Sequence, residues 1–96
     1  MAYWLTLGAK IADEDFFDVY QQMYDFNVTP SLLAGHLAAH YLKPTGILML
    51  TGADYVLKNP APDMMTYTLA KNLVHSLAYN LAADDDIQGN VVTILP

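Results

Sequence analysis

Two short apolar runs on either side of a helical segment constrain the fold of this chain most. The runs are residues 46–51 (GILMLT) and 91–95 (VVTIL), and neither alternates polar with apolar residues. A continuous run of this length is typical of a strand that is buried on both faces, as in a parallel sheet. The order strand, helix, strand predicts a crossover unit. We therefore predict an α/β architecture with parallel strands at 46–51 and 91–95.

The segment between the two runs predicts a helix over about residues 63–82. Asp63 is expected to cap its first turn, and residues 52–62 are expected to form a loop. The helix ends before the acidic run at 84–86, which we interpret as a solvated turn because acids oppose the dipole at a helix C-terminus. The apolar stripe of this helix, expected to lie in the core or at a dimer contact, is Met65, Leu69, Leu73, Leu77 and Leu81.

A long helix is predicted upstream, over about residues 13–42. The acids at 13–15 suit the positive end of a helix dipole, and apolar residues then recur at helical spacing. Pro30 lacks an amide hydrogen and disfavours helix in the residue before it, so a break or kink is expected at 27–29. The result is one long bent helix or two stacked helices.

Composition narrows the classes of function. At 96 residues and 54% hydrophobic, the chain makes one domain at most, and its net charge of −6 disfavours nucleic acid and anionic membranes as partners. The absence of cysteine fits a reducing compartment, so the cytoplasm is the expected location. The first ten residues lack the basic and apolar parts of a signal peptide, and no apolar run approaches the ~20 residues that span a bilayer.

His36 and His40 stand one helical turn apart, a spacing that can ligate zinc. Leu37 occupies the position where a metalloprotease helix carries its glutamate, and no third ligand is evident in the sequence. We therefore interpret the pair as helix packing or a subunit contact and predict no metal site. His75 is likewise interpreted as a helix-surface residue.

Tyr67 and Lys71, also one turn apart, form the candidate catalytic pair. With 7 tyrosines and 4 basic residues in the chain, all four of them lysine, about 0.3 such pairs arise by chance, so the spacing alone is weak evidence. On a helix the two side chains lie on one face about 6 Å apart. An ammonium beside a phenol favours the phenolate, which brings the tyrosine pKa closer to neutral pH and eases proton transfer.

The order of these features resembles the second half of the short-chain dehydrogenase/reductase fold. The features are Asn27 at the helix break, a strand that ends LTGA, the Tyr67-x-x-x-Lys71 helix and a strand that ends ILP. Within that superfamily the chain is most similar to the dihydropteridine reductase family, where a Leu-x-Gly-Ala type turn precedes a Met-x-x-Tyr-x-x-x-Lys helix. The stretch HLAAHYLKPTGILMLTGA resembles the same family, and the similarity covers about residues 16–96.

The resemblance implies part of a Rossmann-like, doubly wound parallel sheet without its N-terminal nucleotide-binding half. The only early glycine is Gly8, so the glycine-rich turn that grips a pyrophosphate is missing. The superfamily's usual serine is also missing, since no serine lies between Ser31 and Ser76, and the dihydropteridine reductase family resembles this chain in having alanine there. Residues 1–96 would then be a partial short-chain dehydrogenase/reductase domain, about the middle third of such an enzyme.

The implied reaction is the reduction of a quinonoid dihydropterin to the tetrahydropterin with NADH, or with NADPH. By resemblance, Tyr67 donates the proton, Lys71 tunes it and binds the nicotinamide ribose, and Asn27 holds a water that connects Lys71 to solvent. The implied cofactor contacts are Lys71, Tyr67, Thr51, Gly52 and Pro96.

Two alternatives to this reaction stay open. The chain could be a catalytically silent, truncated fragment that acts only as a helical dimerisation module, or a short-chain reductase for another carbonyl or imine substrate. The resemblance also implies a homodimer, in which helices 13–42 and 63–82 pair with their copies as a four-helix bundle. Leu32, Leu33 and Leu37 suit such packing.

Overall fold

The structure, a computed structural model, describes residues 9–96. Gly8 and most of the segment considered as a signal peptide lie outside the described residues. In these residues a two-stranded parallel sheet is combined with helices, as the predicted α/β class requires. The elements in chain order are α1 (Phe16–Met23), a π-helical segment (Tyr24–Val28), α2 (Thr29–Tyr41), β1 (Ile47–Thr51), α3 (Asp54–Lys58), a 3₁₀ turn (Pro62–Met64), α4 (Met65–Ala82) and β2 (Asn90–Ile94).

The strands β1 and β2 pair in parallel, which confirms the crossover prediction. The register places Ile47 opposite Asn90 and Thr51 opposite Ile94. Each strand lies within one residue of its predicted bounds. Both strands therefore end at the same edge of the sheet, where ligands of open parallel sheets bind.

The strands are covered on one face only, so the expectation of burial on both faces is wrong within residues 9–96. Leu48 and Leu50 are 9% and 3% exposed. Ile47 and Met49, which alternate with them, are 58% and 59% exposed. Both α2 and α4 pack on the side of Leu48 and Leu50, and β2 shows a weaker form of the same alternation. No described element covers the second apolar face.

Helix α4 turns small residues to the core, so the expectation that the leucine stripe lies in the core is wrong, whereas the alternative of a dimer contact stays a prediction. Leu69 and Leu73 are each 41% exposed, and Leu77 and Leu81 are only partly buried beside the core. Small side chains allow close approach to the sheet and to the upstream helix, so the leucines flank the contact instead of forming it. The buried residues are Thr66, Ala70, Val74 and Ala78.

The segment 52–62 is not the plain loop that we expect from its composition. It contains the five-residue helix α3, in which Lys58 and Asp54 form an ion pair of 3.2 Å across one turn. Val56 of this helix is buried. Because so short a helix is not stable alone, its packing against α4 stabilises it.

Asp63 does not cap α4, which corrects the predicted helix start. It lies in the 3₁₀ turn and forms an ion pair of 3.5 Å with Lys10. The helix begins two residues later, at Met65, without a side-chain cap bond. The Met65 amide donates instead to the carbonyl oxygen of Ala9, at 3.0 Å. The acidic run at 84–86 is exposed, as predicted.

The upstream helix, termed the bent helix for the irregular segment in its middle, is continuous from Phe16 to Tyr41, so a single long helix holds and not two stacked helices. It starts three residues after the predicted Asp13 and ends one residue before Leu42. Its irregular part is the π-helical segment at Tyr24–Val28, which overlaps the predicted break at 27–29. Such π-helical turns are rare and often mark functional sites.

Candidate active site

Lys71 lies where α4 crosses the carboxyl end of β1. Its Nζ donates to the carbonyl oxygen of Thr51, the last residue of β1, at 3.3 Å. The side chain is half-buried, and burial lowers the pKa of Lys71 from its ordinary value. An ammonium has three donor hydrogens, so one bond to Thr51 leaves it able to bind a second polar group at this edge.

Tyr67 lies one turn before Lys71 on the same side of α4. The Lys71 Nζ is 5.9 Å from the centroid of the Tyr67 ring, within the range of a cation–π contact. The ring packs beside Met23 and Val28 of the bent helix and Ala70 of α4, which are buried. The bent helix therefore fixes one side of the phenol, while the catalytic role of the pair stays a prediction.

A pocket of about 260 Å³ adjoins Lys71. Asn27, Thr51 and Lys71 all line it, together with residues at the start of α2. Among the described residues that form its wall, Tyr67, Gly52 and Pro96 are not found. The structure therefore brings Asn27, a predicted catalytic residue, to the pocket beside Lys71. Of the five predicted cofactor contacts, Lys71 and Thr51 line this pocket.

Asn27 belongs to the π-helical segment and is held by the helix itself. Its Nδ2 donates to the carbonyl oxygen of Met23 at 3.1 Å. The Ser31 hydroxyl donates to the Asn27 carbonyl oxygen at 2.8 Å. These two bonds tie Asn27 to the helical turns on either side of it, and Asn27 lies at the wall of the lysine pocket.

Gly52 and Pro96 lie near the pocket without forming it. The Gly52 amide donates to the Ile94 carbonyl oxygen at 2.9 Å, which joins the end of β1 to the end of β2. Pro96 is exposed two residues after β2, at the same edge of the sheet. Neither residue is placed to touch a ligand at Lys71 as directly as Thr51 is.

The interpretation of His75 as a helix-surface residue is wrong. The Ala53 amide donates to His75 Nε2 at 2.9 Å, and the imidazole is half-buried. A Cβ on Gly52 would collide with the His75 ring, so a side chain there would have to displace the ring. Burial and, to a lesser degree, the positive charge of Lys71 lower the pKa of His75.

A signal for His75 was present in the sequence. His75 continues the spacing of Tyr67 and Lys71 by one more turn, so all three lie along one stripe of α4. The spacing indicates the shared face but not the partner. The partner is a backbone amide 22 residues away in sequence, and only the packing of α4 on β1 brings it close.

Histidine and acidic side chains also occur elsewhere in the described part of the chain. Within residues 9–96 no group of three or more His, Asp or Glu side chains is arranged to hold a metal ion. His36 and His40 lie edge to face, with ring centroids 4.9 Å apart. No helix in this range combines the length and apolar character needed to cross a membrane.

No protein-family model matches this chain. A half-buried ammonium at a sheet edge can bind a hydroxylated ligand, and a phenol one turn away can donate a proton.

Proposed function

We propose that this chain carries the proton-donating part of a short-chain, NADH-dependent reductase of quinonoid dihydropterin. The observation that supports it is the position of Lys71, bonded to Thr51 at the carboxyl end of β1 and one turn from Tyr67. In open parallel sheets, ligands bind outside the carboxyl ends of the strands. Catalytic groups at this edge would meet such a ligand.

The exposed apolar face of the sheet supports a Rossmann-like, doubly wound arrangement. Parallel sheets of that kind are covered by helices on both faces, and their strands are apolar throughout. Ile47 and Met49 are suited to such a second layer, although within residues 9–96 they are exposed. We propose that β1 and β2 are two strands of a larger sheet of this type.

The residues around the pocket fit the nicotinamide ribose end of the cofactor. Lys71 would donate to the ribose hydroxyls, and Thr51 would line the edge beside them. The volume of about 260 Å³ lies below the range of about 300–1,000 Å³ typical of whole-ligand sites. Gly52 is packed under His75, so among residues 9–96 it offers no open glycine turn for the pyrophosphate. When bound, the cofactor supplies the hydride, and NADH and NADPH would do so equally.

In the proposed reaction the Tyr67 hydroxyl gives the substrate its proton. The reduced pterin gains one hydride and one proton, so the tyrosine is left as a phenolate. The Lys71 ammonium, 5.9 Å from the ring centroid, stabilises that negative charge. Asn27, across the same pocket, would hold a water through which the proton is replaced from solvent.

The proposal is tested by calorimetric titration with NADH and by turnover of quinonoid dihydropterin, followed through the nicotinamide absorbance. Tyr67→Phe is expected to lower turnover about 100-fold or more, because a general acid contributes that much, with little change in the Kd for NADH. Lys71→Met is expected to weaken NADH binding as well, because it removes the ribose donor.

Tyr79→Phe is the matched control. Tyr79 lies on the same helix and is 82% exposed, so its loss should leave both binding and turnover unchanged. Turnover by Tyr67→Phe equal to the unsubstituted chain would remove Tyr67 from the mechanism. Another outcome is turnover of a different carbonyl or imine substrate, lost in Tyr67→Phe and kept in Tyr79→Phe, with no turnover of dihydropterin. That result would assign another short-chain reductase activity.

A second candidate function is a dimerisation module without catalysis, and the helix face away from the sheet favours it. Two apolar grooves of about 480 and 330 Å³ lie between the bent helix and α4, and Leu73 lines both. On α2, Leu32, Leu33 and Leu37 are between 42% and 57% exposed. Exposed apolar patches of this kind mark protein interfaces. We propose a second copy of the chain as the partner.

Sedimentation velocity over a range of concentrations tests the dimer. The unsubstituted chain is expected to dimerise, and Leu73→Asp is expected to be monomeric because it places a charge between the two grooves. Leu57→Asp, on the exposed side of α3, is the control and should still dimerise. A dimer that binds no NADH supports the silent module, whereas a monomer at every concentration contradicts it.

A further inference from the structure

His75 connects α4 to the turn after β1 through both ring nitrogens. Its Nε2 accepts the Ala53 amide hydrogen at 2.9 Å, and its Nδ1 lies 3.4 Å from Oδ1 of Asn72. A backbone amide can only donate, so Nε2 is the nitrogen without a proton. Nδ1 then carries the hydrogen, which points to the Asn72 oxygen. The contacts require a neutral imidazole in this one tautomer.

The turn that His75 contacts also carries the acceptor of Lys71. Thr51, whose carbonyl oxygen accepts from the ammonium, directly precedes Gly52, and Ala53 follows. The His75 ring fills the space where a side chain on Gly52 would lie. Movement of the ring would therefore change the turn and, with it, the oxygen that positions the lysine.

We propose that His75 is a positioning residue: its neutral imidazole fixes the turn at 51–53 and thereby the place of the Lys71 ammonium, and protonation of the ring releases the turn. The effect on catalysis rests on the proposed function. The contact between ring and turn stands on the geometry alone.

The charged groups around the ring support the neutral form. On α4, Lys71 is positive and lies one turn away, and Tyr79 is the next titratable group along the groove that His75 lines. On α3, Asp54 and Lys58 form an ion pair of 3.2 Å with each other, so their charges compensate. The residues of β2 that line the same groove are uncharged.

The direction of the pH effect follows from these surroundings. Burial and the Lys71 charge lower the pKa of His75 in the folded chain. The unfolded chain, with an ordinary histidine pKa of about 6.5, then binds more protons than the folded one. The contribution of the ring to stability is fully present above about pH 6.5 and is lost as the pH falls through the folded pKa.

Hydrogen exchange of the Ala53 amide, measured by NMR from about pH 8 to about pH 5, tests the proposal across the histidine range. His75→Ala removes the acceptor and is expected to raise the exchange rate about three- to tenfold, after correction for the intrinsic rate. The unsubstituted chain should show the same increase as the ring titrates. His75→Gln offers an oxygen that accepts but does not titrate, so protection should persist at both ends of the range.

His40→Gln is the control, because His40 is an exposed ring on α2 and should leave the Ala53 amide unchanged. Equal protection in His75→Ala and in the unsubstituted chain overturns the proposal. If His75→Ala does not fold, the test uses the unsubstituted chain. The proposal is then overturned if the Ala53 amide stays protected while the carbon shifts of the His75 ring show that the ring is protonated.

The pH dependence of turnover distinguishes a positioning role of His75 from a purely structural one. His75→Ala is expected to lower kcat, and His75→Gln is expected to restore kcat while removing its fall at low pH. If the unsubstituted chain shows no turnover, the proposed function fails and the exchange data still decide the role of His75. If turnover is present and His75→Gln keeps the same fall at low pH, the positioning role is wrong.

Discussion

The two faces of the sheet are made of similar residues and have opposite surroundings. On the covered face Leu48 and Leu50 pack against α2 and α4, with Val74 of α4 1% exposed. On the other face Ile47 and Met49 are more than half exposed. The apolar run that carries all four β1 residues does not distinguish them. An apolar run therefore indicates that either face of a strand can be buried. Which face is buried depends on where the neighbouring helices pack.

The largest expected effect comes from truncating one residue on each face of β1. Leu50→Ala should lower the free energy of unfolding by about 2–5 kcal/mol, because it leaves a cavity under two helices. Met49→Ala, one residue away and 59% exposed, should cost less than about 1 kcal/mol. Chemical denaturation of both variants measures the difference. Equal losses would mean that Met49 is buried in solution and that something covers the open face.

Adding one carbon at Gly52 tests the packing at the end of the covered face, where the turn after β1 meets the His75 ring. Gly52→Ala should cost about 1–3 kcal/mol, because the new Cβ overlaps the His75 ring. Gly35→Ala is the control: its Cβ would meet only the movable end of Leu81, at 2.9 Å, and alanine gains up to about 1 kcal/mol in a helix. The melting temperature should therefore fall for Gly52→Ala and should not fall for Gly35→Ala. A Gly52→Ala chain as stable as its parent would show that His75 does not lie against the turn.

A buried hydroxyl on α4 offers a way to raise the stability of the fold. Thr66 is 0% exposed, and its Oγ1 has no hydrogen-bond partner among the residues that the structure describes. Thr66→Val keeps the shape and removes the unpaired polar atom, so stability should rise by about 1 kcal/mol. Thr29→Val, at an exposed position of α2, should change stability by less than about 0.5 kcal/mol. A loss at Thr66 would indicate that its hydroxyl has a partner in solution.

The smallest effect is expected on the open face of β2. Val92 is 42% exposed, so Val92→Thr should change the free energy of unfolding by less than about 0.5 kcal/mol. Val74→Thr places the same hydroxyl in the core, where an unpaired polar group costs about 1–3 kcal/mol. Denaturant midpoints of the two variants compare the faces directly. A large loss at Val92 would contradict an open face.

The crossover unit was the most predictable part of the fold, since strand order and parallel pairing follow from two apolar runs separated by a helix. The buried face of α4 was less predictable. Leu69 and Leu73 lie one residue away from Ala70 and Val74, which is about 100° around the helix. Hydrophobicity favours the leucines, whereas the close approach of the bent helix and the sheet admits only the smaller residues.

In the candidate site, the shared face of Tyr67 and Lys71 follows from their spacing, and Asn27 was expected at a helix break because of Pro30. The irregular part takes a form that the sequence does not specify, a π-helical segment to which the Asn27 amide and the Ser31 hydroxyl each add a side-chain hydrogen bond. His75 was missed because nothing near it in sequence indicates an amide as its partner.

Local patterns in the sequence predict the order of the elements, the parallel pairing of β1 with β2, the irregularity near Pro30 in the upstream helix and the alignment of a phenol with an ammonium. These depend on local preferences and on short repeats, which act between residues a few positions apart. Packing between distant segments sets which face of the sheet is covered, which stripe of α4 is buried and that the Ala53 amide meets His75. Those outcomes depend on how a helix lies across a strand some 20 residues away, a distance over which side-chain volume and backbone geometry act together.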